Sequence, residues 1–574
     1  MGIKRVTFGT PEEFVPSVFC KSFNYIESEI KFNIHKIQSK QTPRGFLIEF
    51  PLGGDEQVYG FGLQLQSFHH KGRKLALRVN SDPPKATGDS HAPVPFFVTT
   101  GGYGMYIDTA RYINAYCGFV PKKFRSGIAD GEVVASADAL YQSGADTDAS
   151  VMAIEIPGTA GVEVYIIEGD TILDIVSQYN MLSGGGCSAP EWGFEVLYRA
   201  YAKYDENQIL ALAEHFRKEN IPCGIIGLEP GWQSGAYPCT YVWDEVRFPN
   251  YPAMIAKLKE MGYHINLWEH AFISPASPLY SELYDLSGNY EVWKGLVPDF
   301  ATDEARRRFA EYHKNYLIEQ GIDGFKLDEC DGSDYIHDSW SFPECAQFPS
   351  GLDGEQYHSL FGTLYAQAVT EALGDKQTLS EIRNLGALAA PYPFVLYSDL
   401  YDHKDFIRGT VNAGFSGLLW SPELRDASSK TDLLRRLQTT VFSVQCLINA
   451  WYCPEVPWRE FDCEAEVIRL LQIRQSLIPM LKRAFSEYRT TGKPPVRALV
   501  ADYTDDKETY HIDDEYIFCD TLLVAPLTAE SDERQVYLPR GEWVDFYTKE
   551  PVKSGWFTVN TKDIPVYEKI ERKR

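Results

Sequence analysis

The sequence predicts an α/β fold: a (β/α)8 TIM barrel with an N-terminal β-sandwich before it and a C-terminal β domain after it. Three observations carry this prediction. Between residues 189 and 490, short apolar runs alternate with amphipathic helical stretches eight times, and no G-x-G-x-x-G follows any run, so a closed barrel is favoured over an open doubly wound sheet. Residues 1–188 carry period-two runs separated by Gly, Asn and Asp turns, the pattern of an antiparallel sandwich. Residues 491–574 return to short strands after the break "TTGKPP". A chain of 574 residues is also too long for one hydrophobic core.

The elements follow in order. The sandwich runs are "GFLIEFPL", "QVYGFGLQL", "KLALRVNSD", "VPFFVTT", "YGMYIDT" and "GVEVYIIEG". A glycine-rich join, "SGGGCSAPEW", leads into the barrel. Its strand candidates are "WGFEVLY", "CGIIGLE", "YHINLW", "IDGFKLD", "QTLSEI", "PFVLYSD", "SGLLWS" and "LINAWY". Helices rich in Glu, Lys, Arg and Ala separate the first four, among them "QILALAEHFRKENIP" and "EARRRFAEYHKNYLIEQG". A long helical stretch, "EVIRLLQIRQSLIPMLKRAFSEY", closes this region, and "YIFCDTLLVAPL", "QVYLP", "GEWVDFYT" and "WFTVN" supply the last strands.

Composition removes several function classes. A formal charge of −25 with no basic patch argues against a nucleic-acid partner. The longest apolar runs fall far short of a membrane span, and the N-terminus has basic residues but no apolar segment after them, so a cytoplasmic chain without a cleaved signal is expected. Eleven cysteines lie singly, without a C-x-x-C pair or a Cys/His cluster at zinc spacing, which fits free thiols in a reducing compartment. Self-association is left open.

In a (β/α)8 barrel, reacting groups come from the C-terminal ends of the strands. Reading those ends in order gives Glu229 and Trp232, then Trp268, Glu269 and His270, then Asp328 and Glu329, then Glu381 and Arg383, then Asp399 and Asp402, then Glu423 and Arg425, and last Trp451. Any one such acid is well explained as a helix cap, but acids follow six apolar strands, and capping alone does not account for six on one rim. A metal centre fits poorly: "DECDGSD" fails the twelve-position calcium pattern because "SW" stands where its closing Glu belongs, and there is no imidazole cluster. No metal and no cofactor is expected. Paired carboxyls flanking an acetal carbon suit glycoside chemistry, and Trp232, Trp268, Trp420 and Trp451 could supply apolar walls to a sugar pocket.

At this point the chain resembles glycoside hydrolase family 31, the retaining α-glycosidases, through nearly its whole length. "EQVYGFG", "LRVNSDPP" and "VPFFVTTGGYGMYID" are similar to the family's N-terminal segments, "FPNYPAMIAKLKEMGYH" to its second crossover, and "DTLLVAP" with "QVYLPRGEWVDFYT" to its C-terminal β region. The family nucleophile is the Asp ending strand four, usually in D-M-N-E, so the resemblance gives that role to Asp328 in "FKLDECD", with Glu329 departing from the usual next residue. The family acid/base lies in a W-x-G-D segment after strand six; Ser398-Asp399 falls on Gly-Asp, which makes Asp399 the expected acid and Asp402 its rival. Glu229 stands where a family Asp binds sugar hydroxyls, and "SPELRDA" replaces a D-x-G-G-F-like segment, so a glucose pocket is not carried over intact.

The expected function is therefore a retaining, exo-acting α-glycosidase that hydrolyses a terminal α-linked hexose, of glucose or galactose type, from oligosaccharides or glycosides. Glu229, Trp232, Trp268, Glu269, Lys326, Arg383, Asp402, Glu423, Arg425 and Trp451 are the expected substrate-binding residues. Lys326 shares a strand face with Asp328 and would favour its ionised form. Two alternatives stay open: an α-transglycosylase using the same site, and a carbohydrate-binding protein with a decayed site.

Overall fold

The structure is a computed structural model that describes residues 2–81, 83, 85–120, 150–333 and 341–570. An eight-stranded parallel barrel is flanked by antiparallel β-sheet domains on its N- and C-terminal sides.

Alternation builds the first of these. In Gly45–Pro51 the side chains of Phe46, Ile48 and Phe50 are buried while Leu47 and Glu49 are partly exposed, so one face packs and the other meets water. Two five-stranded sheets stack with Phe46, Ile48, Phe50, Phe97, Met105 and Ile154 between them. All six expected runs are strands, and four more join them: Gly2–Thr10, Gln38–Thr42, Ile113–Phe119 and Val151–Pro157. Gly2–Thr10 pairs along its full length with Ala160–Glu168 at one sheet edge. A helix at Ile172–Leu182, closed at its start by a Thr171–Asp174 capping box, then fastens the sandwich to the barrel, with Tyr179 stacked on Phe96 at 3.9 Å.

The barrel strands are β1 (Val196–Arg199), β2 (Ile225–Leu228), β3 (His264–His270), β4 (Gly324–Asp328), β5 (Ser380–Ile382), β6 (Phe394–Leu396), β7 (Glu423–Leu424) and β8 (Cys446–Asn449). Neighbours pair in parallel in sequence order, and β8 pairs with β1. The ring closes where Leu396 donates its N–H to Leu419 at 2.8 Å and accepts from Ser421 at 3.0 Å. The sequence run "SGLLWS" thus makes the closure, although the regular part of β7 begins two residues after it. Between the strands lie α1 (Glu206–Lys218), α2 (Tyr251–Glu260), α3 (Asp303–Tyr316), α4 (Gly354–Leu373), α5 (His403–Asn412) and α6 (Lys430–Val441).

Period two decides which side chains enter the barrel. Arg199, Gly227, Asn266 and Gly324 stand in register, and one step further along the strands Trp268, Lys326 and Glu381 do the same. Gly227 leaves room for its neighbour: a Cβ there would sit 2.8 Å from Arg199 Cγ. A 28-residue helix, α7 (Glu464–Thr491), runs past the barrel to the last domain, and its buried Arg474 donates to the carbonyls of Phe194, Val441, Ser443 and Val444. The C-terminal domain is a six-stranded antiparallel sheet with the pair Glu533–Leu538 and Gly555–Asn560 packed on it around Leu523, Val536, Leu538 and Trp543. No described helix is long and apolar enough to cross a membrane.

Candidate active site

β4 delivers Asp328 to the C-terminal rim of the barrel, where it is buried. The Trp268 indole N–H donates to Oδ2 at 2.7 Å, and the Glu329 backbone N–H donates to Oδ1 at 2.9 Å. Burial would raise the pKa of this carboxyl. The positive charges of Lys326 and Arg383, with the Trp268 indole and the Tyr397 hydroxyl beside it, outweigh burial and hold the group below the usual aspartate range. Asp328 is therefore anionic, which a nucleophile must be.

The cations are themselves held. Lys326 donates to both oxygens of Glu229, at 3.4 and 3.2 Å, and lies 4.9 Å from the centre of the Tyr397 ring. Glu229 also accepts from Arg199 at 2.9 Å, and Arg199 reaches on to Asn266 at 2.6 Å and to Glu381. Arg383 donates Nε and Nη2 to Asp331 at 3.1 and 2.9 Å, donates Nη2 to Ser81 Oγ at 2.9 Å, and pairs through Nη1 with Asp399 at 2.5 Å. One guanidinium thus joins the ends of three strands to a loop of the sandwich.

Asp399 follows β6, and its side chain is 55% exposed, open to a bound molecule. Its loop is braced from below: Arg425 donates to the carbonyls of Ser398, Asp399 and Leu400 at 3.0, 2.9 and 3.3 Å, packs 4.6 Å from the Tyr401 ring, and is anchored by Glu423. Glu423 in turn accepts from Asn449 at 3.0 Å. Asp402 has a different task, accepting the Asp405 N–H at 3.0 Å as the N-cap of α5.

The expected substrate-binding set divides accordingly. Trp268, Lys326 and Arg383 gather around Asp328. Glu229 holds Lys326, while Glu423 and Arg425 support the loop that carries Asp399. Two of the expected contacts, Glu269 and Trp232, are corrected. Glu269 is one residue out of phase with Trp268 and points into the helical layer, where it accepts from Tyr365 at 2.7 Å and pairs with His313 at 3.0 Å. Trp232 has no accessible surface; its N–H donates to the Trp268 carbonyl at 2.6 Å and its ring packs on Trp243. Asp402 caps a helix. Trp451, beyond β8, is 38% exposed and packs edge-on against Tyr452.

Sequence reasoning missed Tyr237. It lies in the loop after β2, packs against Trp268, His270 and Trp293, and donates its hydroxyl to Glu329 at 3.2 Å. It carries no periodic signal, so only the folded chain reveals it. His270, fully buried beside Asp328, has its pKa pushed down to about 4 by burial and is neutral. Among the described residues no three His, Cys, Asp or Glu side chains are grouped to hold a metal ion.

The family model for the TIM-barrel domain of glycosyl hydrolases family 31 matches residues 187–484, and that for the family's C-terminal domain matches residues 492–571. The α-xylosidase XylQ of Lactiplantibacillus pentosus is 22% identical over 86% of this chain and 64% of its own length. Alpha-glucosidase 2 of Bacillus thermoamyloliquefaciens is 26% identical over 70% of this chain and 55% of its own. The chain thus spans less than two thirds of the length of these relatives. Among solved structures, a soil-metagenome α-xylosidase complexed with xylose superposes with a TM-score of 0.76 at 20% identity, covering 94% of this chain and 82% of that one. A sulfoquinovosidase from E. rectale gives 0.75 at 19%, covering 94% and 86%.

Proposed function

The chain belongs to glycoside hydrolase family 31, and from that premise we propose that it is a retaining, exo-acting α-glycosidase that releases a terminal α-linked hexose, of glucose or galactose type, by double displacement. The observation that carries this reading is the pair of differently treated acids on one rim. Asp328 is buried and held anionic by two cations and an indole N–H, whereas Asp399 is exposed on a braced loop.

In the first step Asp328 Oδ attacks the anomeric carbon as the bond to the leaving oxygen breaks, and Asp399 gives that oxygen its proton. In the second, Asp399 takes a proton from water, the water oxygen bonds to the anomeric carbon, and Asp328 leaves as carboxylate. A sugar hydroxyl in place of water would give transfer instead, and the isomaltosyltransferase of Sporosarcina globispora, 21% identical over 90% of this chain, makes that outcome worth assaying in excess acceptor.

A panel of nitrophenyl α-glycosides (glucoside, galactoside, xyloside, N-acetylgalactosaminide and sulfoquinovoside) tests function and sugar together. Hydrolysis of the glucoside or galactoside with net retention of the anomer is expected, with a fluorosugar adduct on Asp328 and none in Asp328→Ala. Net inversion, or an adduct on another acid, overturns the reading.

A further inference from the structure

Double displacement leaves Glu329 without a task, although it is the residue next to the nucleophile. In a regular strand it would point away from Asp328 into the helical layer, as Glu269 points away from Trp268. Instead its backbone is left-handed, with φ of +56°, a conformation that costs any residue but glycine and that clusters at functional sites. The turn brings the Glu329 carboxyl back to the mouth of the barrel, under the Tyr237 hydroxyl that donates to Oε1 at 3.2 Å. Tyr237 is itself fixed by the rings of Trp268, His270 and Trp293 at 5.4, 5.3 and 5.0 Å. The Glu329 N–H meanwhile donates to the Asp328 carboxylate. Two adjacent carboxyls therefore share one corner of the site, and the charges that act on Glu329 are those of the acids Asp328, Asp331 and Asp399 and of the cation Arg383.

We propose that Glu329 is a neutral carboxylic acid in the working protein and that its O–H donates a hydrogen bond to a hydroxyl of the sugar seated against Asp328. With Oε1 accepting from Tyr237, Oε2 is the oxygen that would carry the proton. Burial first, and then the charge of Asp328, push the Glu329 pKa well up, with Arg383 opposing. Two carboxyls this close do not both ionise readily, and Asp328 is the one its partners hold as the anion. A neutral neighbour adds a sugar contact without raising the pKa of the nucleophile. The proposal rests on the glycosidase reading for its ligand, though not for the position of the proton.

The test compares Glu329→Gln, which keeps the shape and an N–H donor, with Glu329→Ala. On the nitrophenyl glycoside that the wild type cleaves best, Glu329→Gln is expected to stay within about threefold in kcat/KM, and Glu329→Ala to lose about tenfold as a rise in KM. Equal losses in the two variants overturn the proposal. Thermal melts read the proton without any substrate. A carboxyl that binds its proton more tightly folded than unfolded contributes full stability below about pH 4 and loses it as pH rises towards the folded pKa. Glu329→Gln should therefore melt above the wild type at neutral pH, with the gain vanishing near pH 4; no gain at any pH means an ionised Glu329 and sinks the proposal. If the wild type cleaves no glycoside, the glycosidase reading and the sugar contact fall together, and the melts still decide where the proton sits.

Discussion

Asp399 and Asp402 lie three residues apart and separate cleanly by experiment. Asp402 caps α5 through the Asp405 N–H, so Asp402→Ala is expected to cost about 1 kcal/mol of stability and to leave initial rates close to wild type. Asp399→Ala should slow substrates with poor leaving groups by about 10²–10⁴-fold, spare the first step on a dinitrophenyl glycoside, and recover turnover when azide replaces the activated water. Rescue at Asp402 and none at Asp399 would exchange the two roles. Glu269 belongs to neither group. Glu269→Ala strands His313 and Tyr365 without their acceptor in the helical layer, which is expected to cost about 1–3 kcal/mol in a denaturant melt with KM unaltered.

At the level of strands, the sequence was most readable where burial is two-sided and continuous. Most of the barrel runs are largely apolar because both faces are covered, and the acids that follow them stand out against that background. Gly2–Thr10 and Gln38–Thr42 were illegible for the opposite reason. Both are edge strands whose polar residues face water, so "GIKRVTFGT" and "QSKQT" show no clean apolar side. Alternation alone could have turned Glu269 outward once Trp268 was taken as inward. No local pattern could have brought Tyr237 to Glu329, because 92 residues of chain separate them. Arg383 depends on several elements at once, and its removal tests them together. It is one of two cations that keep Asp328 ionised, so Arg383→Met should move the acidic limb of kcat/KM to higher pH, since a nucleophile with a raised pKa is protonated sooner as pH falls. An unmoved limb would show that Lys326 alone holds the charge.

Across the whole molecule, the sandwich closes the site. Ser81 reaches Arg383, the His91 carbonyl accepts from Asn384, and Gln64 is tied to Asn412 through its backbone N–H and carbonyl. Ser81→Ala should lower kcat/KM by about 2–10-fold, the worth of one hydrogen bond, while the melting temperature stays near wild type. Deep in the barrel, Arg199 serves two acids from opposite sides, Glu229 just after β2 and Glu381 on β5. Removing the cation alone would strand buried carboxyls, at about 3–5 kcal/mol, and because Glu229 also holds the buried Lys326, removing that acid would strand a second cation. Every single step away from the trio is therefore destabilising. The three positions are coupled in stability, and double and triple variants of them are expected to depart from the sum of the single changes in a denaturant melt.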